Sequence, residues 1–228
     1  MSAAPTPAVT LLEAQAQPLP LSHAAQWLCP ARQQALARIA HPQARACSLT
    51  GDLLLCAAVR DLLPGVSLPP VRAAAPGGKP YLPDLPDVHL SLTHSGQTVV
   101  CALANVPVGI DLELPRPVRS GLVERFFTPQ EQALVRREPD RFFDLWMAKE
   151  AVLKEIGCGI AGNLRQVSVS LGDCPHADAF GKPHALTRAV LPSGAVLLVS
   201  VPGTIQSTIQ IHPFSKGDFC KISPYTSE

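Results

Sequence analysis

The alternation of hydrophobic and polar positions predicts short strands and helices in the first half of the chain. Residues 9–12 form an apolar run that favours a first strand, and residues 30–39 and 48–63 have helical spacing. The second helix is apolar on most faces and is predicted to end at Pro64-Gly65. A loop-rich stretch then leads to three predicted strands, with Ser95-Gly96 as a hairpin turn between the first two, at residues 88–93, 97–104 and 108–113.

The second half of the chain repeats this order of helices followed by strands. Thr128-Pro129-Gln130-Glu131 is typical of a capping box with proline in the first helical position. Residues 140–156 predict a long helix that ends at Gly157. Four strands are predicted after it, at residues 166–171, 186–191, 195–201 and 204–211. We therefore predict an α+β fold of two similar halves, residues 1–113 and 114–213, followed by a tail at residues 214–228.

Composition narrows the setting in which the protein works. The formal net charge of +1 predicts no general attraction to nucleic acid or to a membrane surface. Seven cysteines occur without a Cys-x-x-Cys pair, and the N-terminus lacks a basic region followed by an apolar core. The longest apolar stretches are too short to span a bilayer. A reducing, cytoplasmic location is the expectation.

Two carboxylates are predicted to share one face of the third strand. In Gly109-Ile110-Asp111-Leu112-Glu113, alternation points Asp111 and Glu113 one way and the two apolar side chains the other. Carboxylates so placed repel each other unless a cation lies between them. The alternative interpretation is a solvated edge of a sheet.

Two further motifs carry candidate chemistry. Trp146, Glu150 and Lys154 recur every four residues and so share one stripe of the long helix, although a core tryptophan beside a surface Glu–Lys pair has the same spacing. Thr93-His94-Ser95 and Gly78-Lys79-Pro80 offer hydroxyl and cationic donors suited to phosphate oxygens. The alternative is a structural histidine and a solvent-exposed lysine.

Taken together and in this order, the motifs resemble those of the surfactin-synthetase-type 4'-phosphopantetheinyl transferases. The resemblance covers residues 78–154 and is most specific in Gly-Ile-Asp-Leu-Glu and Trp-x-x-Lys-Glu-Ala-x-x-Lys. It extends more loosely into the N-terminal third through His41, Ser48, Leu49 and Gly51.

The resemblance implies a fold, a reaction and partners. The two halves would be related by a pseudo-twofold axis, with coenzyme A bound in the cleft between them. The 4'-phosphopantetheine arm would pass from coenzyme A to a serine of an acyl, polyketide or peptidyl carrier protein. This converts the apo carrier to its holo form and releases adenosine 3',5'-bisphosphate. A monomer is expected.

The resemblance also assigns roles to individual residues. Asp111, Glu113 and Glu150 would be ligands of Mg²⁺, a hard cation that prefers oxygen. Lys154 would neutralise the diphosphate. The 3'-phosphate and adenosine end would be held by Lys79, His94, Thr93 and Ser48, with help from Arg32. Serine attack needs a base, which could be Glu150, Glu131 or a metal-bound hydroxide. The capping box explains Glu131 equally well.

The chain departs from the family pattern on the side expected to hold the 3'-phosphate. Ala35, Ala44 and Cys47 stand where the family has basic, acidic and basic residues. These losses predict weak coenzyme binding unless Arg38 or Arg45 compensates. Two other functions stay open: a metal-dependent diphosphate hydrolase and a catalytically weak homologue that binds carrier proteins. An acidic carrier would suit a group of basic side chains, Arg116, Arg119, Arg125, Arg136, Arg137 and Arg141.

Overall fold

The computed structural model describes residues 6–16, 18–160 and 162–214 and shows a mixed α and β architecture. The helices are α1 (Leu21–Ala24), α2 (Pro30–Ala37), α3 (Pro42–Leu62), α4 (Leu122–Phe126), α5 (Pro129–Arg137) and α6 (Arg141–Ile156). The strands are β1 (Ala8–Gln15), β2 (Ala73–Ala74), β3 (Pro80–Tyr81), β4 (His89–Ser95), β5 (Thr98–Ala104), β6 (Gly109–Leu112), β7 (Val167–Ser170), β8 (His176–Ala179), β9 (Lys182–Val190), β10 (Val196–Pro202) and β11 (Thr208–Pro213).

The longer strands form two sheets that share an apolar core. The first sheet has the order β11-β1-β5-β4, and the second has the order β6-β10-β9-β8-β7. One face of each sheet contributes to a common core, where Leu11 and Val100 of the first sheet pack with Ile110 and Val199 of the second. Helix α3 covers the other face of the first sheet, and α6 covers the other face of the second.

The two sheets meet edge to edge along β4 and β6. The contacts between these strands run through side chains, because Ser91 and Ser95 of β4 accept hydrogen bonds from the backbone N–H groups of Ile110 and Leu114, at 3.1 and 3.0 Å. Between them, the hydroxyl of Thr93 donates to Asp111. This seam brings residues from the first sheet against the strand that carries the paired carboxylates.

The predicted elements are largely present, with differences that have local causes. Helix α3 begins at Pro42, earlier than predicted, because the His41 side chain caps it by accepting from the backbone N–H of Ala44. The short helix α1, the two-residue strands β2 and β3 of the predicted loop-rich stretch, and the strand β8 were not predicted from the sequence. In β8 the inward positions are only Ala177 and Ala179, which give a weak alternation.

The strands do not follow the predicted division at residue 114. β6 lies before it but pairs with β10 in the second sheet, and β11 lies after it but runs parallel to β1 in the first. The α+β class is confirmed, whereas the two-half division and the pseudo-twofold relation stay predictions. The predicted tail lies outside the described residues, except for Phe214. In the part of the chain that the structure describes, no helix is both long and apolar enough to cross a membrane.

Candidate active site

The paired carboxylates stand where β6 faces α6. Ile110 and Leu112 point into the core between the sheets, which leaves Asp111 and Glu113 on the opposite side of the strand. Gly109 explains how the strand and helix approach so closely, because a Cβ there would lie 1.9 Å from the carbonyl oxygen of Ala151. The glycine of this motif is therefore required by packing next to the carboxylates.

Helix α6 adds a carboxylate and an ammonium group to the same place. Lys154 Nζ pairs with Asp111 Oδ1, lies 3.9 Å from Glu150 Oε2 and donates to Thr93 Oγ1 at 3.3 Å. Glu113 lies at the outer end of the group, where Ser95 donates to Oε2 at 3.4 Å and Arg116 pairs with Oε1 at 2.9 Å. The structure thus brings together four of the residues predicted from the sequence.

Burial and mutual repulsion shift the titration of two of these carboxyls. Burial raises the pKa of Asp111, an effect that the charge of Lys154 partly offsets. The pKa of Glu150 is raised to about 7, first by burial and then by the charge of Asp111. Burial is the main cause of both shifts, and the charge of a neighbouring carboxylate adds to each, from Glu113 for Asp111 and from Asp111 for Glu150.

The donor chemistry of this group fits magnesium. All of its candidate ligands are carboxylate oxygens, and Asp111 Oδ2 is buried without a hydrogen-bond partner in residues 6–16, 18–160 and 162–214. As arranged in the described part of the chain, however, no group of three or more histidine, cysteine, aspartate or glutamate side chains could hold a metal ion. In this arrangement Lys154 pairs with Asp111, and Arg116 pairs with Glu113.

A cavity of about 430 Å³ adjoins the carboxylates on the side of the first sheet. Thr93 and His94 border it at the seam, and Ser48 and Arg32 line it from α3 and α2. Burial lowers the pKa of His94, and the charge of Lys154 lowers it further, which favours the neutral imidazole. Four residues predicted to bind the coenzyme therefore share one cavity.

The same cavity is lined by the two positions at which the family pattern has a basic residue and this chain does not. Ala35 and Cys47 both line its wall, whereas Arg38 and Arg45 do not. The Cys47 thiol donates to the backbone oxygen of Gly96 at 3.6 Å, and burial raises its pKa, so it carries no charge toward a ligand.

Arg72 is a cationic residue of this cavity that the sequence did not reveal. It precedes β2 and lines the wall close to Arg32, and both pair with Asp52 of α3. One feature of the sequence indicates such a buried ion pair: Asp52 is an acidic residue inside an otherwise apolar helical run. Its partners could not be inferred, since they are distant in sequence.

Lys79 does not itself line this cavity, although its neighbours Gly78 and Pro80 do, and it already has partners. Its ammonium group donates to the backbone oxygens of Val108 and Glu155, and burial lowers its pKa. The loop that carries Lys79 packs closely against the end of α6. At Gly77 the approach leaves no room for a side chain, since a Cβ there would lie 1.9 Å from the carbonyl oxygen of Gly157. The predicted phosphate contact of Lys79 is not among these bonds and stays a prediction.

Glu131 is enclosed in a separate buried network. Its carboxylate pairs with the fully buried Lys149 at 2.8 Å and accepts the backbone N–H groups of Thr128 and Val169, each at 2.8 Å. Lys149 also donates to the backbone oxygens of Leu164 and Val167. The capping box is confirmed. These contacts favour a structural role for Glu131, and its predicted catalytic role stays a prediction.

Comparisons with known proteins match the region that carries the carboxylates. Residues 107–189 match the 4'-phosphopantetheinyl transferase superfamily. A 4'-phosphopantetheinyl transferase of Bacillus subtilis is 41% identical over 104 residues, which cover 43% of this chain and 46% of that protein. The 4'-phosphopantetheinyl transferase psf-1 of Bacillus pumilus is 40% identical over 101 residues, which cover 42% of this chain and 43% of that protein.

A third relative matches a longer stretch. The 4'-phosphopantetheinyl transferase HetI of Nostoc sp. is 36% identical over 138 residues, which cover 55% of this chain and 58% of that protein. The chain thus spans about half the length of these relatives, from 43% to 58%. The resemblance that the motifs indicated is confirmed by these matches.

Proposed function

We propose that this protein is a 4'-phosphopantetheinyl transferase that moves the phosphopantetheine arm of coenzyme A onto a serine of a carrier protein. The observation that carries the proposal is the position of Asp111, Glu150 and Lys154 beside a cavity with arginines on its wall. Coenzyme A has the matching order of groups, with a diphosphate between the transferable arm and a phosphorylated adenosine.

The carboxylates account for the metal requirement of the proposal. Asp111, Glu113 and Glu150 would hold Mg²⁺, to which their oxygens are suited. When bound, the ion would offset the negative charge of the diphosphate and improve the nucleotide as a leaving group. Without a cation, one contact between like charges at about 4 Å costs roughly 4 kcal/mol at an effective dielectric constant near 20.

Lys154 is placed to stabilise the negative charge of the leaving group. Its side chain is 24% exposed and borders the seam, so its ammonium group can meet charge that develops on the diphosphate as the bond to the arm breaks. The carrier serine attacks the β-phosphorus and loses a proton. Glu150 is the better placed of the two carboxylate bases, because Glu131 has both oxygens occupied in its buried network.

The 3'-phosphate and adenosine would occupy the cavity between α2, α3 and the seam. Ser48 offers a hydroxyl donor there, His94 a ring nitrogen, and Arg32 and Arg72 guanidinium groups, while Thr93, whose hydroxyl donates to Asp111, forms the border with the carboxylates. A remote phosphate held in this way contributes equally to the ground state and the transition state. It should therefore govern the KM for the coenzyme rather than kcat.

The carrier protein is proposed to be acidic and to meet the exposed arginines that follow β6. In the sequence, Arg119 and Arg125 lie between Glu113 and α5, both side chains are exposed, and Arg119 directly follows the exposed apolar residue Val118. The protein is proposed to act as a cytoplasmic monomer, a setting supported by free thiols such as those of Cys158 and Cys174.

Release of adenosine 3',5'-bisphosphate from coenzyme A, with and without an apo carrier protein, tests the proposal. A transferase releases the nucleotide only when the carrier is present, whereas a diphosphate hydrolase releases it from coenzyme A alone. A homologue that only binds carriers releases it in neither case. Carrier-independent release, or none with any apo carrier, would reject the proposed function.

A further inference from the structure

Asp52 is a nearly buried carboxylate in the apolar middle of α3. The residue is 4% exposed, and its helical neighbours Leu53 and Leu54 are fully buried. A carboxylate in such a place is unfavourable unless it is paired and hydrogen-bonded. The structure gives it two cationic partners from separate parts of the chain.

The two partners are Arg32 and Arg72, and Asp52 bridges them. Arg32 donates through Nη2 to Oδ2 at 2.7 Å, and through Nε to both oxygens at 3.1 and 3.2 Å. Arg72 pairs through Nη1 with Oδ1 at 2.9 Å. The Nη2 of Arg32 also donates to Ser48 Oγ at 3.1 Å. Each guanidinium group is thereby held in one orientation.

Both arginines keep access to the cavity next to the carboxylate site. Their side chains are 17% and 14% exposed and line that cavity. Burial lowers the pKa of Arg72, as does the charge of Arg32, while Asp52 acts in the opposite direction. Two neighbouring guanidinium groups repel each other, and the shared carboxylate offsets that repulsion.

We infer that Asp52 is a positioning residue that fixes Arg32 and Arg72 as one cationic pair on the cavity wall, and that this orientation sets the preference for the 3'-phosphate of coenzyme A. The inference rests on the proposed function, because it takes the cavity to be the coenzyme site. It assigns a role to a residue that does not itself line the cavity.

Removal of the carboxylate would have two opposed effects on phosphate binding. The cavity would become more positive, which attracts phosphate, but its partial exposure to solvent screens this effect. Two long side chains would also lose their fixed geometry and separate, so that binding would have to order both. The contacts with Asp52 run through Nε and Nη2 of Arg32 and through Nη1 of Arg72, and both side chains still line the cavity, so the carboxylate orients the pair while leaving it open to a ligand. The loss of orientation is therefore expected to dominate.

Calorimetric binding of coenzyme A and of 3'-dephospho-coenzyme A to the full chain tests the inference without a carrier protein. Wild type should bind coenzyme A more tightly than its dephospho form. Asp52→Asn should raise the Kd for coenzyme A by about 10-fold, the loss of one charge-assisted hydrogen bond, and leave the Kd for the dephospho form within about 2-fold. Asp61→Asn is the matched control, since Asp61 lies on the same helix in an exposed pair with Arg60.

Further variants keep the test decisive if Asp52→Asn does not fold. Arg72→Gln leaves Asp52 paired with Arg32 and should likewise weaken only the binding of the full coenzyme. Asp52→Glu keeps the charge and should recover part of the preference. Tighter coenzyme binding by Asp52→Asn would overturn the inference by showing that Asp52 competes with the phosphate. Equal weakening of both ligands, by Asp52→Asn or Arg72→Gln, would overturn it by showing a purely structural role.

The inference and the proposed function can fail separately. A wild-type protein that prefers coenzyme A but modifies no carrier would contradict the function and leave the role of Asp52 intact. An active wild type whose 3'-phosphate preference survives Asp52→Asn would contradict the role of Asp52 alone.

Discussion

Thr93 and Asp111 lie opposite each other across the seam between the two sheets, and the Thr93 hydroxyl donates to Asp111 Oδ1 at 3.1 Å. Lys154 contacts both residues from α6. The first sheet, the second sheet and the long helix therefore converge at one carboxylate. Among the described residues, its buried Oδ2 has no hydrogen-bond partner, so this carboxylate is closely packed and has one unsatisfied oxygen.

Asp111 should be required for turnover. Asp111→Ala removes a proposed metal ligand and is expected to lower kcat by at least about 100-fold, roughly 2.7 kcal/mol of transition-state stabilisation. Steady-state transfer to a carrier at saturating Mg²⁺ measures the effect. Asp178→Ala, which changes an exposed aspartate on β8, should leave turnover unchanged. Near-wild-type turnover of Asp111→Ala would remove this residue from the site.

Glu131 should matter for stability more than for chemistry. Glu131→Ala leaves the fully buried Lys149 without its carboxylate partner and is expected to lower the free energy of unfolding by about 3–5 kcal/mol. Chemical denaturation measures the loss. The double variant Glu131→Leu with Lys149→Met should recover much of it, because no buried charge is left unpaired.

The activity of folded Glu131→Ala separates the two roles of that glutamate. A structural role predicts kcat per folded molecule close to wild type. A large fall in kcat with little change in unfolding free energy would instead support the role as a base. Glu124→Ala, at an exposed position on the neighbouring helix, is the control for both measurements.

Lys79 should affect stability and coenzyme binding through its hydrogen bonds to backbone oxygens. Lys79→Ala removes the bonds to Val108 and Glu155, so the loop and the end of α6 lose a common anchor. We expect a lower midpoint of thermal unfolding and equal increases in KM for coenzyme A and its 3'-dephospho form. If only the full coenzyme were penalised, Lys79 would contact the 3'-phosphate, as the family resemblance implies.

Cys47 marks a missing charge in the cavity that we propose binds the coenzyme. Cys47→Arg should lower the KM for coenzyme A by an amount equivalent to about 1.5–3 kcal/mol, the range for a hydrogen bond to a charged group. The gain should shrink with added salt, and kcat should stay nearly constant. Coenzyme titrations at two salt concentrations measure this, with Cys47→Ala as the control for loss of the thiol.

The outcome at Cys47 also bears on the arginines nearby. An unimproved KM at low salt would contradict the missing-charge interpretation. It would mean that Arg32 and Arg72 already satisfy the phosphate, or that the longer side chain crowds a cavity of about 430 Å³.

Local periodicity explains which parts of the site could be predicted. The alternation in β6 placed Asp111 and Glu113 on one face, and the four-residue spacing in α6 aligned Glu150 with Lys154. Each pattern lies within one element and can therefore be recognised from the local sequence. The pairing of Asp52 with Arg72 joins a helix to a loop that is distant in sequence, so no local pattern contains it.

The sheet partners could not be predicted for the same reason. β6 and β11 each have clear strand sequences, but their neighbours are set by packing across the whole fold. Lys79 illustrates the limit for side chains. Its Gly-Lys-Pro context gave a phosphate contact or an exposed loop cation as the two interpretations, whereas close contact at Gly77 brings the ammonium group onto backbone oxygens.

Intact-mass analysis of apo carrier proteins incubated with this protein, coenzyme A and Mg²⁺ tests the central claim most directly. Acyl, polyketide and peptidyl carriers should be compared, each with a control in which the acceptor serine is replaced by alanine. We predict that at least one carrier gains the mass of a single phosphopantetheine group, and that the alanine control and a reaction with Asp111→Ala do not. Unchanged mass for every apo carrier, while an established transferase modifies the same preparations, would contradict the account.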